Sequence, residues 1–227
     1  MALRNIILYK REVNMKSIPE IRYSKLAPKL VKALNARGFD AHFYESEAEA
    51  ADKILSLIPK NHTVSWGGSQ TLTDLGIQER LEKEGYNLLD RDKAASPEER
   101  QDIMRRALLC DTFLSGTNAI SEDGWLVNID GNGNRVAAMI YGPKQVIIAA
   151  GMNKVAKTYE DAVVRARTIA APLNAQRFPS LKTPCSETGT CANCLGADTI
   201  CSIFVSTRYS KPAGRIKIIL IGKDLGL

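Results

Sequence analysis

Four cysteines near the C-terminal end are the residues whose type and spacing most clearly suggest chemistry. They are Cys185, Cys191, Cys194 and Cys201. A C-x-x-C pair lets two thiolates hold one centre from a tight turn, and Gly189 and Gly196 give the neighbouring backbone the freedom to bring in the outer two. We therefore predict that these four cysteines form one metal-binding unit.

Two kinds of inorganic centre suit four thiolates, a tetrahedral zinc ion and a four-cysteine iron–sulfur cluster. Zinc ribbons usually pair two C-x-x-C knuckles, and this sequence has one. The spacing therefore favours a [4Fe–4S] cluster, with zinc as the alternative. The fifth cysteine, Cys110, ends an apolar helical pattern and is predicted to pack in the core.

The cellular compartment affects which role the cysteines are expected to have. No stretch reaches the roughly 18 apolar residues that cross a bilayer, and the run at 6–8 is too short for a signal-peptide core. We predict a cytoplasmic protein with no membrane association. In a reducing compartment, clustered cysteines usually bind metal or react, and disulfides are not expected.

Glycine-rich turns that follow predicted strands are the second kind of candidate site. In the first turn, a strand at 63–66 leads directly into a helix, so backbone amides and hydroxyls there would face an anion. The candidate ligand-binding residues are Gly67, Gly68, Ser69, Gln70 and Thr71. A tight turn with a helix cap explains the same pattern without a ligand.

A second polar turn follows the strand at 112–115 and contributes Gly116, Thr117 and Asn118 as candidate binding residues. Glu122 is the candidate catalytic carboxylate, as acid, base or nucleophile, and its alternative is a solvated surface acid. Ligands in open α/β sheets lie beyond the carboxyl ends of the strands, where such loops converge.

The third candidate turn, at 128–135, is rich in Asn and Gly and resembles a hairpin turn. We predict that Asn128, Asp130 and Arg135 line the same pocket. The turn lacks the twelve-residue spacing of a calcium-binding loop.

The elements that position these residues follow from hydrophobic periodicity. Helices are predicted at 21–34, 54–58, 72–81, 96–110 and 159–171. Strands are predicted at 41–44, 63–66, 87–89, 112–115, 125–129, 136–141, 145–150, 202–207 and 216–221. The alternation predicts an α/β fold with a mostly parallel sheet flanked by helices, a β-meander over 125–150 and a C-terminal metal-binding loop.

Composition is that of a globular protein, with 44% apolar and 25% charged residues. The formal charge of +6 favours anionic ligands, but basic residues alternate with acidic ones, so nucleic-acid binding is not expected. We divide the chain into an extension at 1–15, an α/β domain at 16–171, a connector with the cysteines at 172–201, and strands at 202–227 that return to the main domain.

Taken together, the turns at 67–69, 115–120, 122–124 and 128–135, with Tyr141-Gly142-Pro143, resemble the lactate-utilisation (LUD) domain family over residues 15–227. The resemblance implies a fold similar to ribose-5-phosphate isomerase, glucosamine-6-phosphate deaminase and the CoA-transferases, in which glycine-rich loops hold anionic substrates. Gly67, Gly68 and Ser69 match that loop. It also implies a role in bacterial oxidation of L-lactate to pyruvate, alongside iron–sulfur or redox partner proteins.

The four-cysteine segment departs from the shorter family members. Our leading hypothesis is a protein of lactate or small-carboxylate metabolism that binds a small anionic metabolite and carries its own iron–sulfur cluster. The alternative is a non-redox transferase or isomerase that acts on a phosphorylated or CoA-linked substrate and has a structural zinc site. A third hypothesis is a binding module without catalysis. The sequence leaves open whether the chain is catalytic alone and whether it forms a homo-oligomer.

Overall fold

A six-stranded sheet forms the centre of the protein in the computed structural model, which describes residues 16–227. Its strands are β1 (Asp40–Tyr44), β2 (Thr63–Trp66), β3 (Asn87–Leu89), β4 (Thr112–Ser115), β7 (Gln145–Gly151) and β10 (Ile216–Ile221). All are parallel, in the order β1-β10-β7-β4-β2-β3. Because β3 and β4 lie on opposite sides of β2, the order in which successive strands are added to the sheet reverses at β2. Ligands of open α/β sheets bind at such a switch point, beyond the carboxyl ends of the strands.

A second, smaller sheet has the order β8-β5-β6-β9. Its strands are β5 (Ala119–Ser121), β6 (Leu126–Asp130), β8 (Val155–Ala156) and β9 (Ile203–Thr207). Strand β6 is antiparallel to both β5 and β9, and β5 is parallel to β8. This sheet packs on the helix that follows β8 through Ala119, Val127 and Ala162.

Helices connect the strands and cover both faces of the main sheet. They are α1 (Ile18–Ala36), α2 (Glu47–Ser56), α3 (Gln70–Asp74), α4 (Ile77–Lys83), α5 (Pro97–Arg106), α6 (Asn134–Ile140), α7 (Tyr159–Arg165), α8 (Ala171–Ala175) and α9 (Pro184–Thr188). Short 3₁₀ turns lie at Arg91–Lys93, Ala107–Leu109 and Met152–Lys154, and a π-helical turn at Ala166–Ala170 joins α7 to α8.

Two hydrophobic cores lie on the two faces of the main sheet. Helices α1 and α6 cover one face, where Leu30 and Ile148 are fully buried. Helices α2, α3 and α4 cover the other, with Ile54 and Ile147. Adjacent residues of β7 thus enter opposite cores, as expected for a parallel strand buried on both sides.

The structure confirms the α/β class and the mostly parallel sheet, and it corrects the region after β6. The prediction of a strand at 136–141 is wrong, because these residues form helix α6. The predicted β-meander is therefore absent, since β7 joins the main parallel sheet and β6 belongs to the small one. The turn at 128–135 leads from a strand into a helix, and left-handed Gly133 starts that helix.

The last part of the described chain passes through both sheets. From α8 it runs through α9 and the cysteines to β9, and then returns as β10 between β1 and β7. The predicted helix at 159–171 continues through Pro172 to Ala175 by way of the π-helical turn.

The predicted extension at 1–15 lies outside the described residues. Within residues 16–227, no helix has the length and apolar character needed to span a membrane.

Candidate functional site

A cavity of about 650 Å³ opens beyond the carboxyl ends of β2 and β4, a volume within the usual range for small-molecule sites. It brings together most of the residues predicted from the three glycine-rich turns. Those that line it are Gly67, Gly68, Ser69, Gln70, Gly116, Thr117, Asn118, Asp130 and Arg135. The three turns therefore converge, as the parallel sheet requires.

Arg135 joins the second and third turns. Its Nη1 donates to Asn128 Oδ1 at 2.8 Å, and its Nη2 donates to the Ile129 carbonyl at 2.8 Å and to Asn118 Oδ1 at 3.2 Å. Its Nε lies 3.5 Å from Asp130 Oδ2. Burial lowers the pKa of this guanidinium, and Asp130 opposes that effect. Asn128 itself is fully buried and reaches the site through Arg135.

Two glycines of this site lie very close to neighbouring side chains. A Cβ on Gly67 would lie 2.6 Å from Cγ of Arg135, and a Cβ on Gly116 would lie 2.7 Å from Oγ of Ser69. Either distance is too short for a real side chain, so both turns need glycine to approach their neighbours.

Thr71 does not line the cavity and contacts a residue that does, Lys154. Lys154 follows β7 and donates from Nζ to Thr71 Oγ1 at 2.9 Å. Burial, with smaller contributions from Arg165 and Arg135, lowers the pKa of Lys154 to about 7, and Asp74 opposes the shift. This lysine was not among the residues predicted from the sequence.

Three arginines that were not predicted from the sequence also line the cavity: Arg91, Arg100 and Arg177. A Cβ on Gly68 would lie 3.2 Å from Nη2 of Arg91 and 3.9 Å from Nη1 of Arg177, so two guanidinium groups flank the first turn. Arg91 is largely buried, burial lowers its pKa, and its Nε has no hydrogen-bond partner within residues 16–227. A buried donor of this kind favours an anionic ligand.

Glu122, the candidate catalytic carboxylate, does not line this cavity. It lies in a separate open groove with Arg37 and Asp123, and its Oε2 is 2.8 Å from Nζ of both Lys29 and Lys157. Hydrogen bonds from Lys157 and Lys29 lower the pKa of Glu122. The grouping of Glu122 with the glycine-rich turns is thus corrected, since it forms a surface ion-pair cluster instead.

The four cysteines of the C-terminal segment are free thiols, and Cys185 is the buried one. Burial raises the pKa of Cys201 to about 11, and negative charge on Cys185, Cys191 and Cys194 adds to the shift. By contrast, Cys110 is isolated in the core, where burial raises its pKa to about 12.

The sulfurs are not arranged around a single ion. Within residues 16–227, no group of three or more His, Cys, Asp or Glu side chains is placed so that it could hold a metal ion. A zinc ion needs its sulfurs at bonding distance from one point. In a four-iron cluster each thiolate binds a different iron, so the four sulfurs of such a site lie farther apart than those around one zinc ion.

Thr199 connects the cysteine segment to the cavity. Together with Ile200 it forms part of the cavity lining. Its Oγ1 lies 3.8 Å from Cys194 Sγ and accepts a hydrogen bond from the Cys201 amide at 3.3 Å. The cation-lined cavity and the cysteine segment therefore share a wall.

Residues 27–221 match the model of the LUD domain family. The chain belongs to the LUD domain family. Among solved structures, a DUF162 family protein from Deinococcus radiodurans is similar at 11% identity with a TM-score of 0.53, covering 88% of this chain and 98% of that one. This likeness shows the fold alone.

Two further structures are more distant from this LUD-domain chain. Ribose 5-phosphate isomerase A from Neisseria gonorrhoeae has 16% identity and a TM-score of 0.33, covering 50% of this chain and 54% of that one. The 5-methylthioribose 1-phosphate isomerase from Pyrococcus horikoshii has 14% identity and a TM-score of 0.36, with coverages of 71% and 51%. Neither bears on function at these scores. A search of functionally curated proteins finds no match.

Some of the residues missed in this LUD domain carry a sequence signal. Lys154 and Arg91 each follow a parallel strand closely, at its carboxyl end, which is the rule that identified the glycine-rich turns. Arg177 follows helix α8 and has no such signal. Its position depends on how the chain turns toward the cysteines.

Proposed function

We propose that this LUD-domain protein binds a small carboxylate metabolite in the cavity and carries an iron–sulfur cluster on Cys185, Cys191, Cys194 and Cys201. It would act in the oxidation of lactate or a related 2-hydroxy acid, with iron–sulfur or other redox proteins as partners. The observation that carries the proposal is the wall shared by the cation-lined cavity and the cysteine segment.

The charge balance of the cavity supports an anionic ligand. Within residues 16–227, the cationic side chains that line it are Arg91, Arg100, Arg135, Lys154 and Arg177. The acidic side chains in the lining are already paired, Asp92 with Arg100 at 2.9 Å and Asp130 with Arg135. The remaining positive charge favours a carboxylate, which guanidinium groups bind in two-pronged fashion.

The environment of the cysteines supports a cluster. Thr183 Oγ1 lies 3.3 Å from Cys185 Sγ, and hydrogen bonds to ligating sulfurs tune the potential of such centres. Burial raises the pKa of Cys201, and the positive charge of Arg167 opposes a small part of that rise, so one cation offsets part of the thiolate charge. A bound cluster would supply a one-electron acceptor, while the arginines and Lys154 would bind and orient the anion.

Metal analysis tests the redox half of the proposal. Protein purified without oxygen should contain about four irons per chain with matching sulfide and a broad visible absorbance. Cys194→Ser should lower the iron content sharply. Cys110→Ala is the matched control, because Cys110 lies in the core away from the segment, and it should keep the iron. A colourless protein that contains zinc would contradict the proposed iron–sulfur cluster and the redox role.

Melting temperatures measured with and without small carboxylates test the proposed anion site. Lactate, pyruvate and oxalate should each raise the melting temperature, since a ligand that binds only the folded state stabilises it. Arg91→Met should abolish the shift, and Arg105→Met, on the exposed side of α5, should retain it. No shift with any small carboxylate would contradict this half.

A second function is favoured by the guanidinium groups of Arg91 and Arg177 on either side of Gly68, an arrangement that also suits phosphate. It is a non-redox transferase or isomerase for a phosphorylated or CoA-linked substrate, with a structural zinc site. Larger thermal shifts with sugar phosphates or CoA than with carboxylates, in a protein that contains zinc and no iron, would support it over the first.

A further inference from the structure

Lys154 is a buried amine in the wall of the cation-lined cavity. Only 4% of the residue is exposed, yet it borders the cavity beside Arg135. Within residues 16–227, its one hydrogen-bond partner is Thr71, and no carboxylate forms an ion pair with it. A Cβ on Gly226 would lie 3.0 Å from its Nζ, so the backbone closes the space behind the amine.

The surroundings of this amine favour its uncharged form. Burial and the positive charges of Arg165 and Arg135 lower the pKa of Lys154 to about 7, and Asp74 only partly offsets them. A large share of the amine is then unprotonated at neutral pH. An unprotonated lysine in a desolvated pocket beside other cations is a nucleophile toward carbonyl groups.

We propose that the ε-amino group of Lys154 forms an imine with the carbonyl group of a 2-oxo acid held in the cavity. This inference rests on the proposed anion site and names the class of ligand that the site takes. The arginines would bind the carboxylate, and the amine would meet the neighbouring carbonyl carbon. Thr71 would position Nζ through their hydrogen bond.

The reaction is a condensation without any change of oxidation state. The nitrogen lone pair attacks the carbonyl carbon, and the carbonyl π electrons move to oxygen. Protons pass from nitrogen to oxygen, water leaves, and a C=N bond remains. One amine and one carbonyl give one imine and one water, so no oxidant or co-reactant is needed.

Reductive trapping tests the proposal on the full chain. The protein is incubated with pyruvate and sodium cyanoborohydride, which reduces an imine to a stable secondary amine. Intact mass should show a single pyruvate adduct, and peptide mapping should place it on Lys154. Lactate has no carbonyl group and should give no adduct. Lys154→Arg should lose the adduct, and Lys157→Arg, which changes an exposed lysine, should keep it.

A competition experiment with oxalate tests the proposal on the wild-type protein, in case the Lys154→Arg variant does not fold. Oxalate carries two carboxylates and no ketone, so it should protect the wild-type lysine from labelling by occupying the same cavity. Labelling spread over surface lysines, or labelling of Lys154 that oxalate does not reduce, would overturn the proposal.

The outcome separates this inference from the proposed function. If pyruvate and oxalate both raise the melting temperature but no adduct is trapped, the imine is overturned and the anion site stands. If neither anion shifts the melting temperature and no adduct is trapped, both fail.

Discussion

At the scale of single residues, three of the cations that line the site, Arg91, Arg135 and Lys154, are largely or fully buried, and their charge is only partly compensated. Arg135 makes five hydrogen bonds or ion-pair contacts with the turns around it, whereas Arg91 and Lys154 lack a carboxylate at hydrogen-bond distance within the described chain. Burying a cation without enough hydrogen bonds or opposite charge costs free energy, so these residues destabilise the folded protein when no ligand is bound. Such costs are typical of binding sites.

Replacing Lys154 with Met should stabilise the protein near neutral pH. The pKa of Lys154 is about 7 in the fold, below the roughly 10.4 of an unfolded chain. Between these values the unfolded state binds more protons, so wild-type stability rises with pH across that window. We expect Lys154→Met to gain roughly 2–4 kcal/mol at pH 7, and the gain to fall below about 1 kcal/mol by pH 10.

Denaturant unfolding of wild type and variant at pH 7 and pH 10 measures this difference. Lys25→Met, which changes an exposed lysine of α1, is the control and should show no pH-dependent gain. An equal difference between Lys154→Met and wild type at both pH values would contradict the expectation.

Much of the site could be predicted at this scale because polar and glycine residues after strands have few other reasons to occur together. Gly67, Asn118 and Arg135 were found in this way. Lys154 could have been found by the same rule, but Arg177 could not, since its contact with the first turn depends on tertiary packing. The pairing of Glu122 with Lys29 of α1 likewise depends on packing.

At the scale of elements, the prediction failed where local composition is ambiguous. Residues 136–141 are apolar at nearly every position, which fits a buried strand as well as a buried helix. The start of α6 decides between them, because Asp130 Oδ2 accepts from the Val136 amide at 3.2 Å and Gly133 adopts φ 82°. These contacts form only once β6 and its turn are in place.

The turn after β2 gives a prediction at this scale. Gly67→Ala should destabilise the protein by roughly 1–3 kcal/mol, because its methyl group would displace the buried Arg135 side chain. It should also weaken the thermal shift with oxalate, since Arg135 helps to shape the cavity. Gly196→Ala is the matched control.

Gly196 has open space around the added Cβ, and its stability should change by less than about 0.5 kcal/mol. Thermal and denaturant unfolding of the two variants measures the contrast. Equal effects at Gly67 and Gly196 would show that the close approach to Arg135 does not constrain the turn.

At the scale of the whole molecule, one sheet separates two cores that must form together. Ile147 and Ile148 are adjacent in β7, both fully buried, and they contribute to opposite cores. The continuous apolar run at 145–150 made this burial predictable, since parallel central strands are apolar on both faces. The order of the strands was not predictable, because nothing local places β10 between β1 and β7.

Truncation of either isoleucine to Ala should therefore cost a similar amount, roughly 2–5 kcal/mol, as for other buried aliphatic residues. Unfolding of both variants should stay cooperative, with coincident transitions by circular dichroism and tryptophan fluorescence. A large loss for one variant with almost none for the other would mean that the two faces do not share one folding unit.

The late position of β10 in the sequence affects how the protein can be synthesised. Within residues 16–227, strand β1 pairs in the main sheet with β10 alone, and both α1 and β1 leave the ribosome long before β10 is made. The four cysteines are translated in this interval, before β10 completes the main sheet. Nascent chains that lack β10 would expose an unpaired edge of β7, which makes them targets for chaperones until the final strand is inserted.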